Sequence, residues 1–203
     1  MTEIPASEVK KLRELTGAGM MDCKRALQET GGDIDMAVEL LREKGLASAA
    51  KRKDRAANQG LIDSYIHFNN TVGVLVEVNS ETDFVANTDE FKRLVKDIAL
   101  HIASPASPRW LRREDVPPEL VAEQERYARA QAKEAGKPDT VIDKIVSGKI
   151  DAFYEDNVLL EQPFVKDDAK TVQQLLDEVG AMVGEKVAVR RFVRYKLGES
   201  GEE

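Results

Sequence analysis

The most constraining stretch of this chain is a change of hydrophobic period between residues 72 and 98. Val72, Val74, Val76 and Val78 alternate with other residues, the period-two pattern of a half-buried strand. Phe91, Leu94, Val95 and Ile98 then recur at helical spacing, behind Asn87 or Thr88 as N-cap and the acids Asp89 and Glu90. A strand must therefore give way to a helix within about ten residues. Thr82-Asp83-Phe84 falls on that connection with an aromatic at its tip, and neither Gly nor Pro supplies turn geometry there. Loop residues held between rigid flanks are frequent sites of function. Phe84 has two readings from the residues alone, a core aromatic closing the corner or an exposed contact.

The run Glu77-Val-Asn-Ser-Glu-Thr-Asp-Phe-Val-Ala-Asn87 resembles the second signature of the bacterial elongation factor Ts family. Leu12-Arg-Glu-Leu-Thr-Gly-Ala-Gly-Met-Met-Asp-Cys-Lys-Arg-Ala-Leu27 resembles its N-terminal motif, in the right order and at the right separation. Gln162-Pro-Phe-Val165 and Arg191-Phe-Val-Arg-Tyr195 are similar to later family segments, so the resemblance spans the chain in the family's short form. The long form has a duplicated core and a protruding helical hairpin, for which this chain is expected to be too short. The resemblance implies an α+β fold. It comprises a three-helix ubiquitin-associated-like domain (1–46), a basic linker (47–58), a core dimerisation domain (59–197) with a small three-stranded antiparallel sheet packed with helices, and a tail (198–203).

The residue pattern agrees. Ser7 is a candidate cap for a first helix bearing Val9, Leu12 and Leu15. Thr16-Gly-Ala-Gly19 breaks that helix, and a second from about Asp22 ends at Gly31-Gly32. Asp33 caps a third, with Ile34, Ala37, Val38 and Leu41 facing the core and Gly45 ending it. Ala47 to Asn58, with Lys51-Arg-Lys-Asp-Arg55 inside it, reads as a solvated, partly helical linker. Strands are predicted at about 60–68 and 71–79 around an Asn69-Asn70 turn. Helices follow at about 88–103, 117–135 and 138–152, then Pro163 in a loop, a helix from a Thr171–Gln174 capping box to about 183, and a third strand from Val187 to Tyr195.

Composition narrows the function. Net charge of −7 argues against a dedicated nucleic-acid binder, since phosphate contacts need basic surface. The single Cys23 allows no intrachain disulfide and fits a reducing compartment. No apolar run has the length of a membrane span, and no signal core begins the chain, so a cytoplasmic bacterial protein is expected. No catalytic constellation stands out. His67 and His101 lack ligand-spaced neighbours, Gly17-Ala-Gly19 is no nucleotide fingerprint, and Asp151, Glu155 and Asp156 read as a solvated face. Neither cofactor nor metal is expected, and the chain should act by binding rather than by bond-making chemistry.

The resemblance implies a guanine-nucleotide exchange factor for elongation factor Tu. Thr82, Asp83, Phe84 and Val85 would form the exchange element, with Phe84 inserted beside the nucleotide site. Asp83 would orient the tip, and Thr82 and Val85 also read as local bonding and core positions. Arg13, Met20, Met21 and Lys24 would dock on the partner's G domain, each methionine being equally readable as filler of the three-helix core. Cys23 reads as a small packed hydrophobe. If Ile66 faces the helices, His67 points away, either to the partner or simply to water. An exposed sheet face is an association liability, and a homodimer through it is expected. A ribosome or RNA module using Lys51-Arg-Lys53 and Arg112-Arg113, a small enzyme and a generic adaptor are the competing readings.

Overall fold

The computed structural model describes residues 4–199, without the side chain of Leu46; the last four residues of the expected tail lie outside the described residues. In chain order come α1 (Ala6–Thr16), α2 (Met20–Glu29), α3 (Ile34–Arg52), β1 (Gln59–Ile66), β2 (Val72–Ser80), α4 (Asp83–Ala86), α5 (Asp89–Ala103), α6 (Pro118–Glu134), α7 (Asp139–Asn157), β3 (Pro163–Phe164), β4 (Asp167–Thr171), α8 (Val172–Val183) and β5 (Ala188–Lys196). The fold is α+β. One antiparallel sheet has the order β1-β2-β5, so the last strand joins the hairpin beside β2. Contacts group the chain into two units, one of Met1–Leu61, Val78–Leu94 and Gln174–Arg190, the other of Ile62–Glu77, Val95–Gln173 and Arg191–Glu203.

In the first unit, α1 to α3 enclose Val9, Leu12, Cys23, Ala26, Leu27 and Ala37, with Ile34, Val38 and Leu41 packed around them. Asp33 caps α3, its carboxylate accepting from the Met36 amide at 2.9 Å. Four details differ from the sequence reading. Pro5, not Ser7, precedes α1, and no side chain caps it. Leu15 is 61% exposed rather than core. α3 runs through Gly45 to Arg52, because one glycine costs a helix only about 1 kcal/mol and the Ala-rich residues beyond it favour helix. Arg52, expected to be solvated, is buried and donates to the Ser48 hydroxyl.

In the second unit, Asn69 and Asn70 make the hairpin turn. Asn70 takes φ 57°, and the Asn69 side-chain Oδ1 accepts from the Thr71 amide and hydroxyl. Ile62 and Ile66 face outward at 65% and 61% exposure, together with Phe68, Leu75, Tyr195 and Leu197. Of the two orientations open to β1, the one with Ile66 facing the helices is therefore not the one adopted. The polar residues of the other face fit a half-covered sheet. The Tyr65 hydroxyl and His67 Nδ1 are hydrogen-bonded at 3.2 Å.

α6 and α7 form a helix pair around their own small core of Ala128, Ala132, Ile142 and Val146. A chain of this length thus does accommodate a helical hairpin, against expectation. A β3–β4 ribbon also occupies the segment read as a loop at Pro163. The preceding Gln162 is buried. It donates to the carbonyls of Ala106 and Asp156, each at 2.9 Å, and its Oε1 lies 2.9 Å from His101 Nε2. His101 Nδ1 accepts the Val165 amide at 3.1 Å, which puts the ring proton on Nε2. Gln162, at the head of the family-like segment, and His101 therefore form a buried polar clamp, and burial holds the His101 imidazole below its ordinary pKa.

Candidate functional site

β2 delivers the chain to residue 80 with Val78, Asn79 and Ser80 buried. Thr82 then takes an extended conformation and caps the single turn of α4, its hydroxyl accepting the Val85 amide at 3.3 Å. The Ser80 hydroxyl donates to the Thr82 carbonyl, and the Asn87 side chain donates to the Asp83 carbonyl. Thr88 caps α5 through a 3.3 Å bond from the Phe91 amide. The connection is thus a short helical turn between two capped boundaries, not an open loop.

That turn divides its apolar residues sharply. Val85 and Ala86 are 5% and 3% exposed, whereas Phe84 is 79% exposed. Phe84 is therefore no core aromatic. It stands on a platform fastened by Val85 beneath it, so Val85 supports the turn and offers little surface of its own. Asp83 and Thr82 are exposed beside the ring. An exposed phenyl group on an ordered support is the most contact-ready feature of the turn, since its ordering cost is already met by folding.

Two residues about a hundred positions later hold this platform, Glu185 through its side chain and Lys186 through its backbone amide. The Glu185 carboxylate accepts from the Glu81 amide at 3.1 Å, the Thr82 amide at 3.0 Å and the Thr82 hydroxyl at 2.6 Å. Reciprocally, Glu81 accepts from the Lys186 amide at 2.6 Å and from Arg55 at 3.2 Å. The Lys186 amide bond, helped by Arg55, keeps the Glu81 carboxyl below its ordinary pKa. Lys186 also donates through its ammonium group to the carbonyls of Lys53 and Arg55.

The N-terminal motif lies in the same unit. Gly17 ends α1 in the left-handed region at φ 66°, and α2 begins at Met20. Arg13 and Lys24 are exposed, and Met20 and Met21 are 44% and 66% exposed. Neither methionine fills the three-helix core. Cys23 does, and its thiol donates to the Ala18 carbonyl at 3.6 Å while burial raises its pKa. A cysteine so placed packs the turn and is a poor nucleophile. Met182 of α8 lies against Gly17, close enough that any Cβ there would meet its sulfur. The end of α8 and the turn after it therefore touch both motif segments, Met182 at Gly17 and Glu185 at Thr82.

The sequence located Phe84, Asp83 and the exposed methionines. It missed Met182, Glu185 and Lys186, whose only local signal was a short Gly-containing connection between a helix and a strand. His67 lies in the other unit and is partly covered. Of the basic residues that an RNA reading would need, Arg52 is buried. Arg113 is paired with Glu161 and Asp151 and lies over the Tyr154 ring. Among the described residues, no three His, Cys, Asp or Glu side chains gather as a metal site. No helix among them is long and apolar enough to cross a membrane.

The family model described as elongation factor TS matches residues 3–199. Proteins named elongation factor Ts are similar over at least nine-tenths of their length. That of Desulforamulus reducens is 55% identical over 202 residues, covering 100% of this chain and 93% of the relative. That of Thermoanaerobacter sp. is 55% identical over 199 residues, covering 98% and 97%. That of Geotalea uraniireducens is 55% identical over 196 residues, covering 97% and 90%.

Proposed function

The chain belongs to the elongation factor Ts family, and from that premise we propose that it is a guanine-nucleotide exchange factor acting on elongation factor Tu during translation in the bacterial cytoplasm. The observation that carries this reading is Phe84, 79% exposed on a turn fastened from both sides. In the proposal, Phe84 inserts into the partner's G domain beside the nucleotide site and displaces the groups that hold Mg²⁺ there. Asp83 and Thr82 flank the ring and bond to the partner, while Val85 braces the turn. Arg13, Met20, Met21 and Lys24 dock on the same domain, the methionines as adaptable apolar contacts. His67 is a secondary contact.

No bond is made or broken by this chain. A partner that prefers the empty form must weaken nucleotide binding, and linkage makes the effect reciprocal. Weakening by ~1000-fold takes about 4 kcal/mol of differential binding, within reach of one buried aromatic and a disturbed Mg²⁺ site. GDP leaves, GTP enters, and the factor is released. The proposal keeps residues 1–46 as the docking domain, 47–58 as its connection and 59–197 as the dimerisation core. The exposed row of Ile62, Ile66, Leu75 and Tyr195 supports a homodimer through the outer sheet face. Nucleic acid has no part in it.

The test is release of fluorescent GDP from elongation factor Tu with catalytic amounts of the chain. Acceleration well above the spontaneous rate is expected. A folded chain that binds the partner yet leaves GDP release at its spontaneous rate would refute exchange.

A further inference from the structure

We infer that Glu185 is a positioning residue for exchange, acting through Phe84; the inference rests on the exchange reading above. Phe84 follows the Glu81-Thr82 peptide by two residues, and both amides of that segment, with the Thr82 hydroxyl, converge on the one Glu185 carboxylate. Thr82 is in turn the cap of the turn that bears Phe84. The carboxylate thus fixes the N-terminal end of α4 from outside, and bonds from neutral donors to an ionised acceptor are the stronger kind. Glu81 repeats the arrangement in the opposite direction, accepting the Lys186 amide. Two carboxylates, one from each segment, therefore clamp residues 81–82 to residues 185–186.

The backbone around Glu185 is shaped for this. Gly184 takes φ 75°, a left-handed conformation that turns the chain directly after α8. The Glu185 carbonyl approaches Gly180 so closely that a Cβ there would lie 2.9 Å from it. Both glycines let the connection fold back on α8, which aims the carboxylate at Thr82. Local bonds from Ser80 and Asn87 would remain without Glu185. Its loss should therefore loosen the angle at which Phe84 is presented rather than unfold the unit.

The experiment measures nucleotide release from elongation factor Tu with wild type, Glu185→Ala, Glu185→Gln, Phe84→Ala and the double variant Glu185→Ala/Phe84→Ala, each with its thermal melt. Loss of an anchor whose competent state then becomes a minority lowers the rate in proportion to that population, about tenfold for Glu185→Ala. Gln keeps an amide oxygen for the two backbone amides and can donate to the Thr82 hydroxyl, so Glu185→Gln should recover activity to within about threefold of wild type. In the Phe84→Ala background, Glu185→Ala should add nothing, because the two act in series. Additive losses, or Glu185→Ala equal to an active wild type, would overturn the positioning role alone. A folded wild type without exchange activity would overturn the exchange reading and this inference with it. Should Glu185→Ala melt early, Glu185→Gln is compared with the similarly sized Glu185→Met in the same assays: only the oxygen-bearing Gln should keep activity, and equal activity in the two would overturn the positioning role.

Discussion

Replacing Phe84 by alanine separates a contact residue from a structural one by magnitude. A phenylalanine offers roughly 200 Å² of surface, and Phe84 leaves 79% of its own exposed. Full insertion into a partner would then remove about 160 Å² from water, worth about 4 kcal/mol at ~25 cal/mol per Å². Alanine retains the Cβ and about a quarter of that area, so the net loss is about 3 kcal/mol, or roughly 100-fold in exchange efficiency. Folding stability should barely change, by no more than about 0.5 kcal/mol, because little of the ring is buried within the chain. Val85→Ala should do the reverse. It opens a cavity beneath the turn and costs about 1 kcal/mol or more of stability. The assay is release of fluorescent GDP from elongation factor Tu against factor concentration, with urea unfolding of each variant alongside. A Phe84→Ala protein with exchange within threefold of wild type would refute insertion of the ring. One destabilised by more than ~2 kcal/mol would refute the division of the turn into exposed and supporting residues.

Gly60 takes φ 146°, and a Cβ there would strike the Val78 carbonyl, so Gly60→Ala should cost about 2 kcal/mol or more by urea unfolding, while a neutral result would disprove the close approach. His101 is neutral in the fold with its pKa held below the unfolded value near 6.5; its contribution is complete above that pH and declines as pH falls towards the folded pKa. Imidazole NMR signals should accordingly show His101 protonating at lower pH in the folded chain than in the urea-unfolded chain, and the same midpoint in both would contradict the buried clamp. Ile66→Asp on the outer sheet face should convert a dimer into monomer by analytical ultracentrifugation, and an unchanged sedimentation coefficient would remove that face from the interface.

Much of the secondary structure was written locally. The alternating valines of β2, the helical spacing after Asp89, the Asp33 cap and the Asn69-Asn70 turn each depend on neighbours within a few residues, which is the range over which side chains and backbone compete for hydrogen bonds. Where local signals were balanced, context decided. Gly45 could have ended α3, but the helix continues, and β1 turned Ile62 and Ile66 outward because its alternation fits either face equally well. The β3–β4 ribbon was invisible, since two residues cannot display a period.

The candidate site divides the same way. The sequence by itself determined that an aromatic stands at the strand-to-helix connection and that methionines flank a glycine turn. Only tertiary structure decided that Phe84 is exposed while Val85 is buried, that Cys23 rather than a methionine fills the three-helix core, and that Glu185 grips Thr82 while Met182 closes over Gly17. These pairs lie more than a hundred residues apart. A carboxylate bonding to two backbone amides leaves no mark in the sequence of its partner, because every residue except proline carries the same amide.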